Sequence, residues 1–315
     1  MILVVMLMRC QRVLISDQSI ELFVEGILEI HNIQEKREAI NAIASAERNL
    51  KGSDYESTLT NRSFRDFEYR EDQKRIELRE RILNELFSLP RLDNDEDICL
   101  NCGGAAPKTR VQNGRKMFYL VGAPASGKSG IANGLSDLYG AYILDSDYAK
   151  RKLPEYRNQP SGASLVHEES DMIVFSNPNG NLLGKCIENG YNIIVPKIGH
   201  SIDKVLSFTS RMRELGYTSY LISVDLDRCK TIQRAYHRFI QTKRYVPLAT
   251  VFDLYGNEPT LNYFKIKQRN KEAFDGYAQF STDVEIGSKP NLIEQVGIPE
   301  LRTSSFWQDI SNSFA

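Results

Sequence analysis

The chain has 315 residues, 41% of them hydrophobic and 26% charged, with a formal net charge of -1. That length can bury a substantial core and suits one medium domain plus a smaller one, while near-neutrality argues against bulk electrostatic attraction to nucleic acid or a membrane surface. Five cysteines, an odd number in a chain this long, give no disulfide framework, so a reducing cytoplasm is the expected setting.

The opening run Met1 to Met8 is apolar. It has no basic residues before it and no small-residue cleavage pattern behind it, and it is too short to span a bilayer. It reads as a buried strand or helix start, or as an upstream start codon chosen in error, rather than as a secretion signal. Ile20, Phe23, Val24, Ile27 and Leu28 then mark one amphipathic helix, Ile40, Ile43 and Ala44 a second, and Ile76, Ile82, Leu83, Leu86 and Phe87 a third that ends before Pro90. A polar stretch from Gly52 to Arg65 separates the second from the third. The expectation is a small all-helical region over residues 1–95. The acidic run Asp93 to Asp97, followed by Gly103, Gly104 and Pro107, predicts a linker over residues 96–110. Within it Cys99 and Cys102 have zinc-ligand spacing, but no second Cys or His pair stands nearby, which leaves half a site.

The remaining residues, 111–315, read as the main domain. Met117 to Val121 is an apolar strand running straight into Gly122-Ala-Pro-Ala-Ser-Gly-Lys128-Ser129. Ile131, Leu135 and Leu138 follow at helical spacing until Gly140 stops the helix. This is a complete phosphate-binding loop in its expected context. The small residues Gly122, Ala123, Pro124, Ala125, Ser126 and Gly127 let consecutive backbone N–H groups close on a polyphosphate at a helix N-terminus. Lys128 adds a point charge, and the Ser129 hydroxyl can ligate Mg²⁺. The expected ligands are ATP or GTP with Mg²⁺.

Strand-like runs at 141–144, 191–195 and 217–224 alternate with helical segments, so the fold class is α/β, a parallel sheet flanked by helices. Ile202, Val205, Leu206, Met212 and Leu215 stripe a helix that Gly216 ends. After Asp225 the apolar positions Cys229, Ile232, Ala235, Tyr236, Phe239 and Ile240 share one helix face, with Arg234 and Arg238 on the opposite one and Lys243 and Arg244 just beyond. Paired arginines suit phosphoryl transfer, which needs positive charge on the migrating phosphate; a solvated basic face is the plainer alternative. Asp145 and Asp147 stand at the end of the strand after the loop helix, where open α/β sheets border their ligand crevice. A carboxylate there can take a proton from a substrate hydroxyl, hold the metal's water shell, or cap the next helix.

The phosphate loop, Tyr142-Ile-Leu-Asp-Ser-Asp147 with Arg151, Pro154 and Tyr156, and the basic helix closing on Lys243-Arg244-Tyr-Val-Pro247 together resemble the zeta toxin family of bacterial toxin-antitoxin kinases over roughly residues 105–290. The resemblance implies a P-loop kinase that phosphorylates UDP-N-acetylglucosamine on its sugar 3′-hydroxyl. It implies Lys128 and Ser129 on the nucleotide phosphates and metal, Asp147 as base, and Arg234, in preference to Arg238, with Arg244 on the transferring phosphate. It further implies an antitoxin protein as partner, a part that the N-terminal helices would here play in cis.

One departure bears on the acceptor. Where the family carries an acidic residue followed by Gly and Thr, this chain reads Val195-Pro-Lys-Ile-Gly199-His200. Pro196 and Ile198 cannot make the same hydrogen bonds, so the acceptor is UDP-N-acetylglucosamine or another nucleotide-linked compound such as a nicotinamide dinucleotide. Glu168 or Glu169 is a candidate replacement carboxylate. The competing expectation is a nucleotide-binding regulatory module that transfers no phosphate.

Overall fold

The computed structural model describes residues 14, 16–50, 57–158, 162–242, 244–285, 288–298 and 301. The opening apolar run and Lys243 lie outside these residues. Six strands form one sheet in the order β2-β3-β1-β4-β5-β6. They are β1 (Lys116–Val121), β2 (Tyr142–Ile143), β3 (Ile193–Lys197), β4 (Thr218–Asp225), β5 (Gly276–Ser281) and β6 (Asn291–Val296). The first five are parallel and β6 pairs antiparallel on β5. β1 lies between β3 and β4 and is buried from Met117 to Val121, as a strand covered on both faces must be.

Three N-terminal helices are present where the apolar spacing places them: α1 (Asp17–Gly26), α2 (Ile33–Leu50) and α3 (Asp72–Ser88). A capping box at Ser16 and Ser19 starts α1. These helices do not form one unit. Leu78, Ile82, Leu83 and Leu86 of α3 belong to the core under the sheet. Ile20, Phe23 and Val24 of α1 with Ala39 and Ile43 of α2 bury instead against Ile232, Ala235, Tyr236 and Phe239 of the arginine helix Arg228–Thr242. The segment read as a linker is also packed, with Ile98 and Ala105 fully buried. The packing break therefore falls between α2 and α3 rather than near residue 95, because an amphipathic stripe reports that a face is buried without naming its partner.

A buried ionic cluster ties α3 to the sheet domain. The Arg75 guanidinium donates to Glu155 at 2.8 and 3.2 Å and to Glu169 at 2.7 and 2.6 Å, and all three side chains are fully buried. Arg79 adds a 2.6 Å bond to Glu169, and Thr58 donates to the same carboxylate. Burial alone would raise the Glu169 pKa, but Arg75 and Arg79 outweigh it and hold the carboxyl at about 2. Nearby, Lys152 is buried and held by Glu85 at 2.8 Å and by the carbonyls of Cys99 and Cys102 at 2.9 and 3.2 Å. The two cysteines bracket a tight turn, with mutual backbone bonds of 3.1 and 2.9 Å. Among the described residues no cluster of His, Cys, Asp or Glu suits a metal ion.

Arg75→Met should lower the unfolding free energy by about 3–5 kcal/mol, the range for stranding a buried charge. Urea denaturation followed by circular dichroism reads this directly. A loss below about 1 kcal/mol would show that other groups already satisfy both carboxylates.

Candidate active site

The phosphate-binding loop joins β1 to helix α4 (Lys128–Tyr139). Two residues take left-handed backbone, Ala125 at φ 64° and Gly127 at φ 87°, which lets the chain reverse into the helix. Gly122 admits no side chain, since a Cβ there would lie 2.6 Å from the Val224 carbonyl oxygen. The loop is braced from below: the Thr282 hydroxyl donates to the Ser126 carbonyl at 2.7 Å, and the Gly122 N–H donates to the Ile198 carbonyl at 3.2 Å. The Ser126 hydroxyl is buried without a hydrogen-bond partner among the described residues. Lys128 curls over the loop, its ammonium donating to the carbonyls of Gly122 at 2.7 Å and Ala123 at 2.6 Å. Desolvation pulls its pKa down to about 8, and an anion beside it would raise it again.

Beside the loop lies a cleft of about 250 Å³. Ser129, Gly130 and Asn133 of α4 form its floor, and Asp145 and Asp147 form one side. Arg151, Arg238 and Arg244 form another. The remaining wall is the acidic stretch Asp93 to Glu96. Asp145 caps helix α5 (Ser146–Lys152) by accepting the Asp147 N–H at 2.9 Å. Asp147, in the first turn of that helix, accepts a hydrogen bond from Arg244 and pairs with Lys150 at 2.9 Å.

The two aspartates titrate apart. Burial, followed by the neighbouring Asp147 charge, raises Asp145 to about 6. Burial acts the same way on Asp147, but Arg244, then Lys150 and Arg151, overcome it and hold this carboxyl well below the ordinary range. Paired titratable groups pushed in opposite directions are a mark of functional sites.

The expected site residues are thus partly gathered. Ser129, Asp145, Asp147 and Arg244 share the cleft, with the loop from Gly122 to Lys128 beside it. Arg234 does not line it; its guanidinium donates to the Thr282 carbonyl at 2.9 Å, one residue-length from the loop through the Thr282 bond to Ser126. Arg238, one turn further along the same helix, lines the cleft instead, and its buried Nε has no hydrogen-bond partner among the described residues. Glu169 is committed to Arg75, Arg79 and Thr58 and supplies no carboxylate for an acceptor. Asp95, Glu96 and Arg151 escaped the sequence reading as site residues. The signal that could have found them is the acidic run itself, which faces basic residues far along the chain.

At the C-terminal end of β3, Lys197 pairs with Asp171 at 3.3 Å and its ammonium lies 4.1 Å from the centre of the Phe175 ring. Asp171 also accepts from the Ser146 hydroxyl at 2.8 Å, one residue before Asp147.

Residues 105–260 match a family model described as Zeta toxin. Among solved structures the chain is similar to one from the PezAT chromosomal toxin-antitoxin system of Streptococcus pneumoniae, at 14% identity and a TM-score of 0.51, over 80% of this chain and 90% of that one. It is also similar to AvrRxo1-ORF1:-ORF2 with ATP, at 18% identity and a TM-score of 0.47, over 70% of this chain and 67% of that one. At these identities the first likeness speaks for the fold, a mostly parallel sheet flanked by helices. No curated protein matches the chain.

The raised Asp145 pKa carries a stability consequence. Between its ordinary value of 3.8 and about 6 the folded state binds more protons than the unfolded one, so stability falls as pH rises through that window. Asp145→Asn keeps the helix cap and removes the penalty. Its melting temperature should exceed that of the wild type at pH 7, by the equivalent of up to about 3 kcal/mol, and the difference should vanish near pH 4. An Asn variant less stable than wild type at pH 7 would show that the Asp145 charge is stabilised in place.

Proposed function

We propose, from the membership of this chain in the zeta toxin family through residues 105–260, that it is a kinase moving the γ-phosphate of ATP or GTP to a hydroxyl of a nucleotide-linked acceptor. UDP-N-acetylglucosamine is the leading acceptor and a nicotinamide dinucleotide the next. The observation that carries this reading is the placing of Asp147, paired to Arg244, in a cleft floored by Ser129 at the mouth of the phosphate loop.

In this reading the loop N–H groups from Gly122 to Ser129 receive the nucleotide phosphates, and Lys128 exchanges the Gly122 and Ala123 carbonyls for a phosphate oxygen. Ser129, with Asp145 close by, would hold Mg²⁺, which supplies charge neutralisation at the phosphates when bound. Asp147 accepts the proton of the acceptor hydroxyl as its oxygen bonds to the γ-phosphorus and the bond to the β-phosphate oxygen breaks. Arg244 serves both ends of this step. While it binds Asp147 the carboxylate is a poor base; as the guanidinium turns toward the migrating phosphate, Asp147 is released and its basicity rises. Arg238 or Arg234 would add the second positive charge. Free Cys99, Cys102, Cys186 and Cys229 fit the proposed cytoplasmic setting, and among the described residues no helix is long and apolar enough to cross a membrane.

The second reading, a nucleotide-responsive module without transfer, draws on the altered strand end, where Pro196 and Ile198 offer an acceptor no side-chain hydrogen bonds. Incubation with γ-labelled ATP and a panel of UDP-sugars and dinucleotides separates the two. The kinase reading expects a labelled acceptor with wild-type protein and a transfer rate lowered about 10²-fold or more in Asp147→Asn at unchanged nucleotide affinity. Nucleotide binding with no labelled acceptor anywhere in the panel favours the module.

The α1–α2 pair gives the partner question a physical form. The pair buries Phe23, Val24 and Ile43 against the helix that carries Arg234 and Arg238, Ala125 of the phosphate loop touches the same cluster, and Tyr245 beside Arg244 donates to Glu47. We propose that this hairpin restrains the arginine helix in cis, as a separate antitoxin would in trans. A tethered contact acts at roughly millimolar local concentration. Removal of residues 1–50 leaves α3 in the main core. If the hairpin restrains, transfer by the soluble truncated protein should be faster; an unchanged rate in a folded truncation would reduce the hairpin to a structural cap.

A further inference from the structure

The cleft that should receive a polyanion is lined by five carboxylates, from Asp93, Asp95, Glu96, Asp145 and Asp147, against three guanidinium groups. Two of those carboxylates, Asp95 and Glu96, come from a short turn, Asp95–Asp97, that precedes the matched span and is N-capped by Asn94. The turn is held in place at both of its inward side chains. Asp95 accepts the Tyr148 hydroxyl at 2.9 Å and lies within hydrogen-bonding reach of the Ser129 hydroxyl. Glu96 accepts from Arg151 at 2.8 Å and faces Arg244 at 3.6 Å, with Arg238 close enough to act on its charge.

A carboxylate on converging guanidinium groups satisfies the same N–H donors that would bind a phosphate oxygen. We infer that the Asp95–Asp97 turn is an internal anion seated in the phosphate-handling cleft, and that Glu96 competes with a phosphate group for Arg151, Arg238 and Arg244. The inference rests on the phosphoryl-transfer reading of this cleft. Glu96 opposes phosphate in two ways: it occupies donors of Arg151, and its charge repels an incoming oxyanion across a low-dielectric gap. Arg238 shows the same arrangement from the other side. Its buried Nε has no hydrogen-bond partner among the described residues, which leaves a donor for a larger anion. Displacement of the turn frees Arg151 from its carboxylate and lifts the Glu96 charge from Arg244, which stays on Asp147, so phosphate binding and turn release are linked.

Inorganic pyrophosphate tests this without requiring any acceptor or transfer, so a failure here is distinct from a failure of the kinase reading. Titration calorimetry on the full chain should give Glu96→Gln and Glu96→Ala an affinity for pyrophosphate about tenfold or more above wild type, the effect of removing one charge competing at close range. The gain should be lost in Glu96→Gln combined with Arg151→Ala, because Arg151 is the donor that Glu96 releases. The glutamine variant keeps the side-chain shape and guards against misfolding in the alanine variant. Pyrophosphate affinity equal to or weaker than wild type in a folded Glu96→Gln protein would overturn the competition and make Glu96 a partner that holds the arginines in position for the anion.

Discussion

The buried Arg75 cluster sets the geometry on which the cleft depends. Two carboxylates from the segment after α5, Glu155 and Glu169, are fully buried, and buried carboxylates demand paired, hydrogen-bonded cations. Only α3 supplies Arg75 and Arg79 to them, so the helix must lie against the sheet domain. From the end of α3 the chain crosses back toward β1, and Lys152 seizes the carbonyls of Cys99 and Cys102 on the way. With the chain fixed at both of these places, residues 93–97 have little choice of path. They run along the open side of the phosphate loop, and an acidic run that reads as a linker becomes a wall of the site.

That wall changes the electrostatic character of the cleft. A phosphate site is ordinarily described by its cations, here Lys128 and the arginines, but the carboxylates around them decide what each cation is free to do. Asp147 holds Arg244, Glu96 holds Arg151, and loop carbonyls hold Lys128. Under the proposed function each of these contacts stands in for a phosphate oxygen, and a nucleotide would exchange them rather than fill empty positions. In the proposed kinase reading the same exchange would tune the chemistry, because Arg244 holds the Asp147 carboxyl well below its ordinary range and its departure would raise it.

The parts of this site with short-range signatures were legible in the sequence. The loop from Gly122 to Ser129 announces itself by glycine and lysine spacing between an apolar strand and an apolar-striped helix, and the structure places both as expected. The faces of the arginine helix could be told apart by period, and Ile232, Ala235, Tyr236 and Phe239 do bury. Period could not say that their partners are α1 and α2, some two hundred residues earlier. Nor could it rank Arg234 against Arg238, which share one side of the helix and differ by a turn in depth. The pair β5 and β6 was missed because β6 is only half covered and no tight turn signal joins it to β5. Glu96 was missed for a different reason: a run of charges is usually solvated, and its partner Arg151 lies 55 residues away in sequence.

The backbone at the C-terminal end of β3 accommodates Pro196. Residue 194 points its carbonyl toward β2, accepting the Leu144 N–H at 2.8 Å, and residue 196 shares that direction by the two-residue repeat of a strand. By the same repeat the N–H that Pro196 lacks would have faced the Leu144 carbonyl, just beyond the last paired residues Ile193 and Ile194. A proline is tolerated here because it sits past the end of the β2–β3 pairing. The polar groups left at this rim are side chains: Lys197 and Ser146 on Asp171, and Lys150 on Asp147. Under the proposed function, orientation of an acceptor at this rim would fall to these rotatable, charged groups, which a different acceptor could use by changing partners rather than backbone.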